Sequence, residues 1–394
     1  METVRVAERP NLLWVRVHTD EGVAGLGETF FGAGAVEAHV HDWIAPRVMG
    51  RDPLAIEGLA REVLPYVGRA GAGAEARAAS AFDMALWDLW GRATGQPVAQ
   101  LLGGVSRDAI RTYNTCAGPG YIAEATGQAV ANFGIGAHRL DDLDAFLHRA
   151  DELALDLLEE GITGMKIWPF DGAAERTGGL DIPADEMRAA LDPFERIRAA
   201  VGDRMDVMVE LHGLWSLAPA LRIAEALRPF GTYWHEDPIR MEGPGGLRRY
   251  AAASPAPLAV SETLGGLGAF RDLMLAEAAG VVVLDVSWCG GLSAARKVAA
   301  LAEAWDLPVA PHDCTGPVSL AASTHLSLHL PNAVRQESVR AFLRTWYRDL
   351  VTALPEVRGG MITAPPGPGL GLELLPDLDR AFTVARKRSE RADR

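Results

Sequence analysis

Residues 205–210 (MDVMVE), 232–236 (TYWHE) and 258–262 (LAVSE) decide how this chain folds. Each is a short apolar run of the kind that forms a buried strand. Each closes on a glutamate, and Glu210, Glu236 and Glu262 stand 26 residues apart. In a parallel barrel whose strands alternate with helices, successive strand ends fall on one rim, where such barrels keep their chemistry. Three acids meeting there with no basic partner in sequence repel one another unless a hard divalent cation holds them together. The spacing predicts a magnesium site and an enzyme.

Outward from that stretch, short apolar strands alternate with helical segments. The strands fall at 110–114, 162–167, 205–210, 232–236, 258–262, 281–285, 307–311 and 333–336. Eight is the count for an α/β fold of the (β/α)8 TIM-barrel type, placed over residues 111–350. The first crossover, 117–143, starts with a Gly-rich loop and is expected to be a mobile surface loop. Before the barrel, residues 11–30 alternate apolar and polar around Asp20-Glu21-Gly22, which reads as a hairpin. Segments 36–63 and 75–96 carry helical periodicity, so residues 1–110 form a small α+β unit. After about 350 the alternation stops. Gly359-Gly360-Met361 and the Pro365–Gly369 run read as a rigid connection, neither strand nor helix. Residues 351–394 return to the N-terminal unit and end in a charged tail, frayed from Arg386 onwards.

The 394 residues are 48% apolar and 23% charged, enough to bury a large core. A net charge of −14 argues against a nucleic-acid or anionic-membrane partner but not against a small anion, because a bound cation dominates its local field. Cys116, Cys289 and Cys314 suggest neither a disulfide framework nor a thiolate zinc site. With no apolar leader and no long apolar span, the expected compartment is the cytoplasm.

Other strand ends also carry chemistry: Lys166 on the second, Asp285 on the sixth, His312 on the seventh and Glu337 on the eighth. His212, two residues past Glu210, faces the same way if that strand runs on. A cation chelated by a substrate carboxylate makes the α-proton more acidic and stabilises the enediolate left by its removal. His312 suits the base, being largely neutral at pH 7 at its ordinary pKa. Asp285 would hold its other nitrogen.

These features resemble the enolase superfamily, in its mandelate racemase-like branch, across nearly the whole chain. The resemblance rests on the hairpin, on SAFDMALWDLWGRATGQPVAQLLGG at 80–104, on the three glutamates, on the Asp285/His312 pair and on the closing GPGLG. It implies an α+β capping domain over a modified barrel, Mg2+, and abstraction of a proton α to a carboxylate. Racemases of the branch carry Lys-x-Lys on the second strand. Here Lys166-Ile167-Trp168 puts a tryptophan in the second lysine's place, which weakens racemisation and leaves Lys166 to bind the substrate carboxylate or to lower the electrostatic cost of the enediolate. His212 matches the general acid of the galactonate and mannonate dehydratase-like enzymes, although their usual first ligand is Asp and here it is Glu210.

Glu337 matches a glutamate that hydrogen-bonds the substrate carboxylate, which calls for a raised pKa. Asn114, Tyr113, Trp168, Trp215 and Trp288 are candidate pocket liners, Asn114 and Trp168 as substrate contacts. His235 is read as structural, and residues 30–35 resemble the family's mobile capping-domain loop that closes over substrate, with Gly32 and Gly34 giving the flexibility a lid needs. The first expectation is a Mg2+-dependent acid-sugar dehydratase making a 2-keto-3-deoxy acid. The alternatives are an epimerase, racemase or cycloisomerase on the same site, or a non-catalytic metal-binding homologue. A homo-oligomer is expected because barrels of this branch commonly assemble.

Overall fold

Residues 1–64, 73–125 and 127–390 are described by the computed structural model. The chain opens with strands β1 (Glu2–Val6), β2 (Leu12–His18) and β3 (Ala24–Phe30), joined antiparallel in that order. β2 and β3 are the expected hairpin; β1 was not foreseen. The helix Ala74–Thr94 lies directly on β3. Only glycine permits that approach: a Cβ on Gly27 would come within 1.9 Å of the Ala81 carbonyl oxygen. Asp88 of this helix accepts from the Leu26 amide at 2.8 Å, tying helix to strand. The predicted 36–63 helix is broken. Helical turns run from Ala33 to Val48, and a new helix starts at Ile56 beyond Asp52-Pro53, where proline cannot continue the ladder.

The barrel strands are β4 (Ile110–Thr115), β5 (Gly164–Ile167), β6 (Asp206–Glu210), β7 (Trp234–Glu236), β8 (Leu258–Val260), β9 (Val281–Val282) and β10 (Gln336–Ser338). β4 to β9 pair parallel in sequence order. The expected seventh strand is reduced to Val309, which bridges Val282 on one side and Ala333 on the other. β10 pairs parallel with β4 and brings the ring back to its start. Tyr113, Met208, Trp234, Ala259, Val281, Val283 and Ala310 fill the interior. By period-two alternation, the residues two beyond Met208 and Trp234 also face inward at the rim; these are Glu210 and Glu236.

Two expectations for the C-terminal segment are corrected. Glu356–Arg358 (β11) and Met361–Thr363 (β12) form a hairpin turning at Gly359 and Gly360, both at positive φ, and β12 pairs antiparallel with β4. Arg386–Arg388 is not frayed. It belongs to β13 (Val384–Arg388), which adds to the first sheet beside β1. The far end of the expected tail, 391–394, lies outside the described residues. Among the described residues, no helix is long and apolar enough to cross a membrane.

Candidate active site

Register brings the first two carboxylates together, because Glu210 and Glu236 are directly paired across β6 and β7. Glu262 follows two residues after β8, so it sits on the turn and not on the strand itself. Ligand oxygens of Glu210, Glu236 and Glu262 lie within 4.8 Å of one another. Glu210 Oε2 is buried with no hydrogen-bond partner. An all-oxygen donor set that leaves a buried carboxylate oxygen without a hydrogen bond fits a hard divalent cation. Burial alone would raise the Glu210 pKa, but the charges of His212 and Lys166 and the amide of His212 hold it down to about 2. Glu236 goes the other way, well above the usual range, through burial and its like-charged neighbours against the pull of Lys166.

The triad does have a basic partner. Lys166, buried on β5, places Nζ 2.7 Å from Glu236 Oε1, 3.0 Å from Glu337 Oε1 and 3.4 Å from Glu210 Oε2. Glu337 also accepts from the Tyr113 hydroxyl at 2.9 Å and from Thr115 Oγ1. Its expected raised pKa is therefore overturned. Burial pushes it up, but Lys166, His312 and these donors hold the carboxyl below its ordinary value. Thr115 was missed from sequence; alternation along β4 puts it inward with Tyr113.

Two imidazoles face the same space. His312 Nδ1 is 2.7 Å from Asp285 Oδ2, and its Nε2 is 3.0 Å from Glu262 Oε2. Burial works against a charged ring, yet Glu262, Glu337 and Asp285 hold its pKa well above the ordinary value, so the neutral ring expected from sequence is not what this geometry favours. His212 reaches the pocket differently from the prediction. Its strand ends at Glu210, and His212 sits at φ 49°, followed by Gly213 at φ 67°. A turn in the left-handed region, uncommon for a non-glycine residue, aims the ring. His212 Nδ1 is 2.8 Å from Asp171 Oδ2. Burial disfavours its charge, but Asp171 and Glu210 raise its pKa to about 9. Asp171 was not found from sequence. Its one signal is its place just beyond the second strand, opening the helix Asp171–Thr177.

The pocket between these rings encloses about 40 Å³ and includes Lys166, His212, Glu262, His312 and Trp168. Trp168 stands edge-on to His212 with ring centroids 5.9 Å apart and forms an aromatic wall of this pocket. Trp288 tilts against His312 at 5.6 Å. Asn114 is a correction. It points into the layer behind β4, donating to Asp142 Oδ2 at 2.9 Å and accepting from the Arg340 amide at 2.9 Å, so it does not face substrate. The 117–143 segment is more than a surface loop: Tyr121, Ile122 and Gln128 line the pocket, and only Thr126 lies outside the described residues. Phe30, which ends β3, and Phe31 after it also line the pocket. Phe31 and Gly32 make the tight turn there, at φ 68° and 67°, whereas Gly34 is already inside the next helix and is no hinge. His235 is structural as expected, held by Thr232 at 2.9 Å and Tyr250 at 2.7 Å.

Residues 2–103 match the mandelate racemase/muconate lactonizing enzyme N-terminal domain, and residues 149–378 match the enolase C-terminal domain-like family. The chain belongs to the mandelate racemase branch of the enolase superfamily. It is 32% identical over 378 residues to the D-galactonate dehydratase of Xanthomonas oryzae pv. oryzae (strain PXO99A), covering 94% of this chain and 90% of that one. It is 31% identical over 389 residues to the D-galactonate dehydratase of Ralstonia nicotianae, covering 96% and 92%. Among crystal structures, an enolase of the mandelate racemase subgroup from Agrobacterium tumefaciens superposes with a TM-score of 0.90 at 61% identity, covering 99% and 98%. An enolase protein from Sargasso Sea environmental sequencing gives 0.88 at 42% identity, covering 100% and 98%. The fold is thus the superfamily's capping domain over a (β/α)8 barrel, and the carboxylate rim lies where that fold presents its strand ends.

Proposed function

We propose that this enolase superfamily member is a Mg2+-dependent hydro-lyase that dehydrates a six-carbon sugar acid to a 2-keto-3-deoxy acid. One observation carries the reading. His312 backed by Asp285 and His212 backed by Asp171 open on the same pocket as Lys166 and Glu262, with Trp168 where a racemase keeps its second base. The names of the dehydratase relatives support the same class.

Glu210, Glu236 and Glu262 would hold the cation, which when bound supplies charge stabilisation for a carboxylate whose α-proton is leaving. Lys166 binds a substrate carboxylate oxygen. His312 Nε2 removes the C2 proton, with Asp285 fixing the tautomer and the ring plane. With Glu262 committed to the cation, its charge would no longer hold the proton on His312, and the ring would be free to act as the base. The protonated ring of His212 gives its proton to the C3 hydroxyl; the C3–O bond breaks, water leaves, and the C2=C3 enol tautomerises to the ketone. Trp168, Trp288, Phe30 and Phe31 keep bulk water from the carbanion. The free cysteines Cys116, Cys289 and Cys314 support a reducing compartment such as the cytoplasm.

A panel of six-carbon aldonates and aldarates, assayed for 2-keto acid with Mg2+ and with EDTA, tests the reading. Keto acid that forms with Mg2+ and disappears with EDTA is expected. A product with the substrate's own mass would make the protein an isomerase instead.

A further inference from the structure

The reaction pocket is too small for the substrate just proposed. About 40 Å³ compares with roughly 300–1,000 Å³ for sites that enclose small ligands. His212 and Gln128 line this pocket and also an open cleft of about 710 Å³ beyond them. An acid bound at C1 by Lys166 and protonated at C3 by His212 must therefore run its remaining carbons into the cleft.

Arg240 lies in that cleft. It follows β7 by four residues, and Ile239 beside it bridges Trp215 on the turn after His212. A Cβ on Gly213 would stand 3.8 Å from the Arg240 Cα, so the arginine is rooted directly across from the His212–Gly213 turn. The side chain is exposed, and it makes no ion pair or hydrogen bond among the described residues. Three of the cleft's acids are already engaged: Asp171 with His212, Glu175 with the Val130 amide at 2.9 Å, and Asp237 with Ser261 Oγ at 2.6 Å. Glu242, two residues on, forms no ion pair with Arg240.

We propose that Arg240 binds the distal carboxylate of a six-carbon diacid, so that the preferred substrate is an aldarate, anionic at both ends. The guanidinium fork takes a carboxylate through two parallel N–H donors, which a terminal CH2OH cannot match. Glu242, the cleft acid not already engaged among the described residues, serves as an acceptor for the hydroxyls between the two ends. This inference rests on the dehydratase reading and adds the substrate class to it.

The test compares kcat/KM for each six-carbon aldarate and the aldonate of matching configuration, with Mg2+, in the wild type, Arg240→Gln and Arg240→Lys. The diacid should be preferred in the wild type, and Arg240→Gln should cut the diacid-to-monoacid ratio about 10- to 100-fold. The loss should fall mainly on KM, and Arg240→Lys should restore part of it. A wild type that favours aldonates, or a ratio unmoved by Arg240→Gln while dehydration persists, overturns the diacid assignment alone. Turnover of neither acid in any configuration removes the dehydratase reading and this inference with it.

Discussion

His212 Nδ1 stands 2.8 Å from Asp171 Oδ2 as an ion pair, without the hydrogen-bond alignment that joins His312 Nδ1 to Asp285 Oδ2 at 2.7 Å. An aspartate thus flanks Nδ1 of each ring, while Nε2 of His312 meets Glu262. Asp171→Asn should lower the dehydration rate by about 10- to 100-fold, the usual effect of losing an orienting partner. Exchange of the C2 proton with solvent should be nearly unchanged, because His312 is untouched. Parallel NMR rates of exchange and keto-acid formation check this. An equal fall in both would make Asp171 a merely structural residue.

Cation binding should appear as stability. At a Mg2+ concentration 100 times its Kd, folding gains about 2.7 kcal/mol. Thermal denaturation with and without Mg2+ should show the rise in the wild type and its loss in Glu210→Gln. An undiminished rise in that variant would place the ion elsewhere.

The barrel was legible because Met205–Glu210, Thr232–Glu236 and Leu258–Glu262 bury apolar residues locally, and their ends carry the acids. β13 was not legible, since Val384–Arg388 is largely exposed and owes its conformation to backbone pairing with β1. Neither were Asp171 and Thr115. A helix-start carboxylate and a strand threonine carry no distinctive spacing, and only the fold brings them to His212 and Glu337. Asn114 failed for the opposite reason. It belongs to an outward-facing position of β4, where alternation sends it to Asp142.

That outward network should matter to stability. Arg340 clasps Asp142 through Nε at 2.7 Å and Nη2 at 2.8 Å, and its Nη1 lies 2.6 Å from Asp156. Removing the arginine leaves a buried carboxylate unpaired, a loss of about 3–5 kcal/mol. Urea denaturation of Arg340→Met should show it. The double variant Arg340→Met/Asp142→Leu should recover most of the loss; simple additivity would rule the coupling out.

Buried His325 should make the fold acid-sensitive. It is buried within the helix Pro317–His329, and that burial pushes its pKa down to about 4. Between an unfolded value near ~6.5 and that folded value, the unfolded chain binds the extra proton, so stability falls as pH falls through the window. From pH 7 to pH 5 the loss from this group is about 2 kcal/mol. His325→Leu should flatten the acid limb of a urea-stability profile by that amount. An unchanged limb would mean the folded protein accepts the proton.

The central claim is that His312 takes the C2 proton and His212 expels the C3 hydroxyl, at a site built on Glu210, Glu236 and Glu262. Proton NMR of a turned-over sugar acid in deuterated water, with Mg2+, tests it in one measurement on three proteins. The wild type should yield deuterated keto acid, His212→Asn should exchange C2 without losing water, and His312→Asn should do neither. C2 exchange continuing at the wild-type rate in His312→Asn would contradict the account.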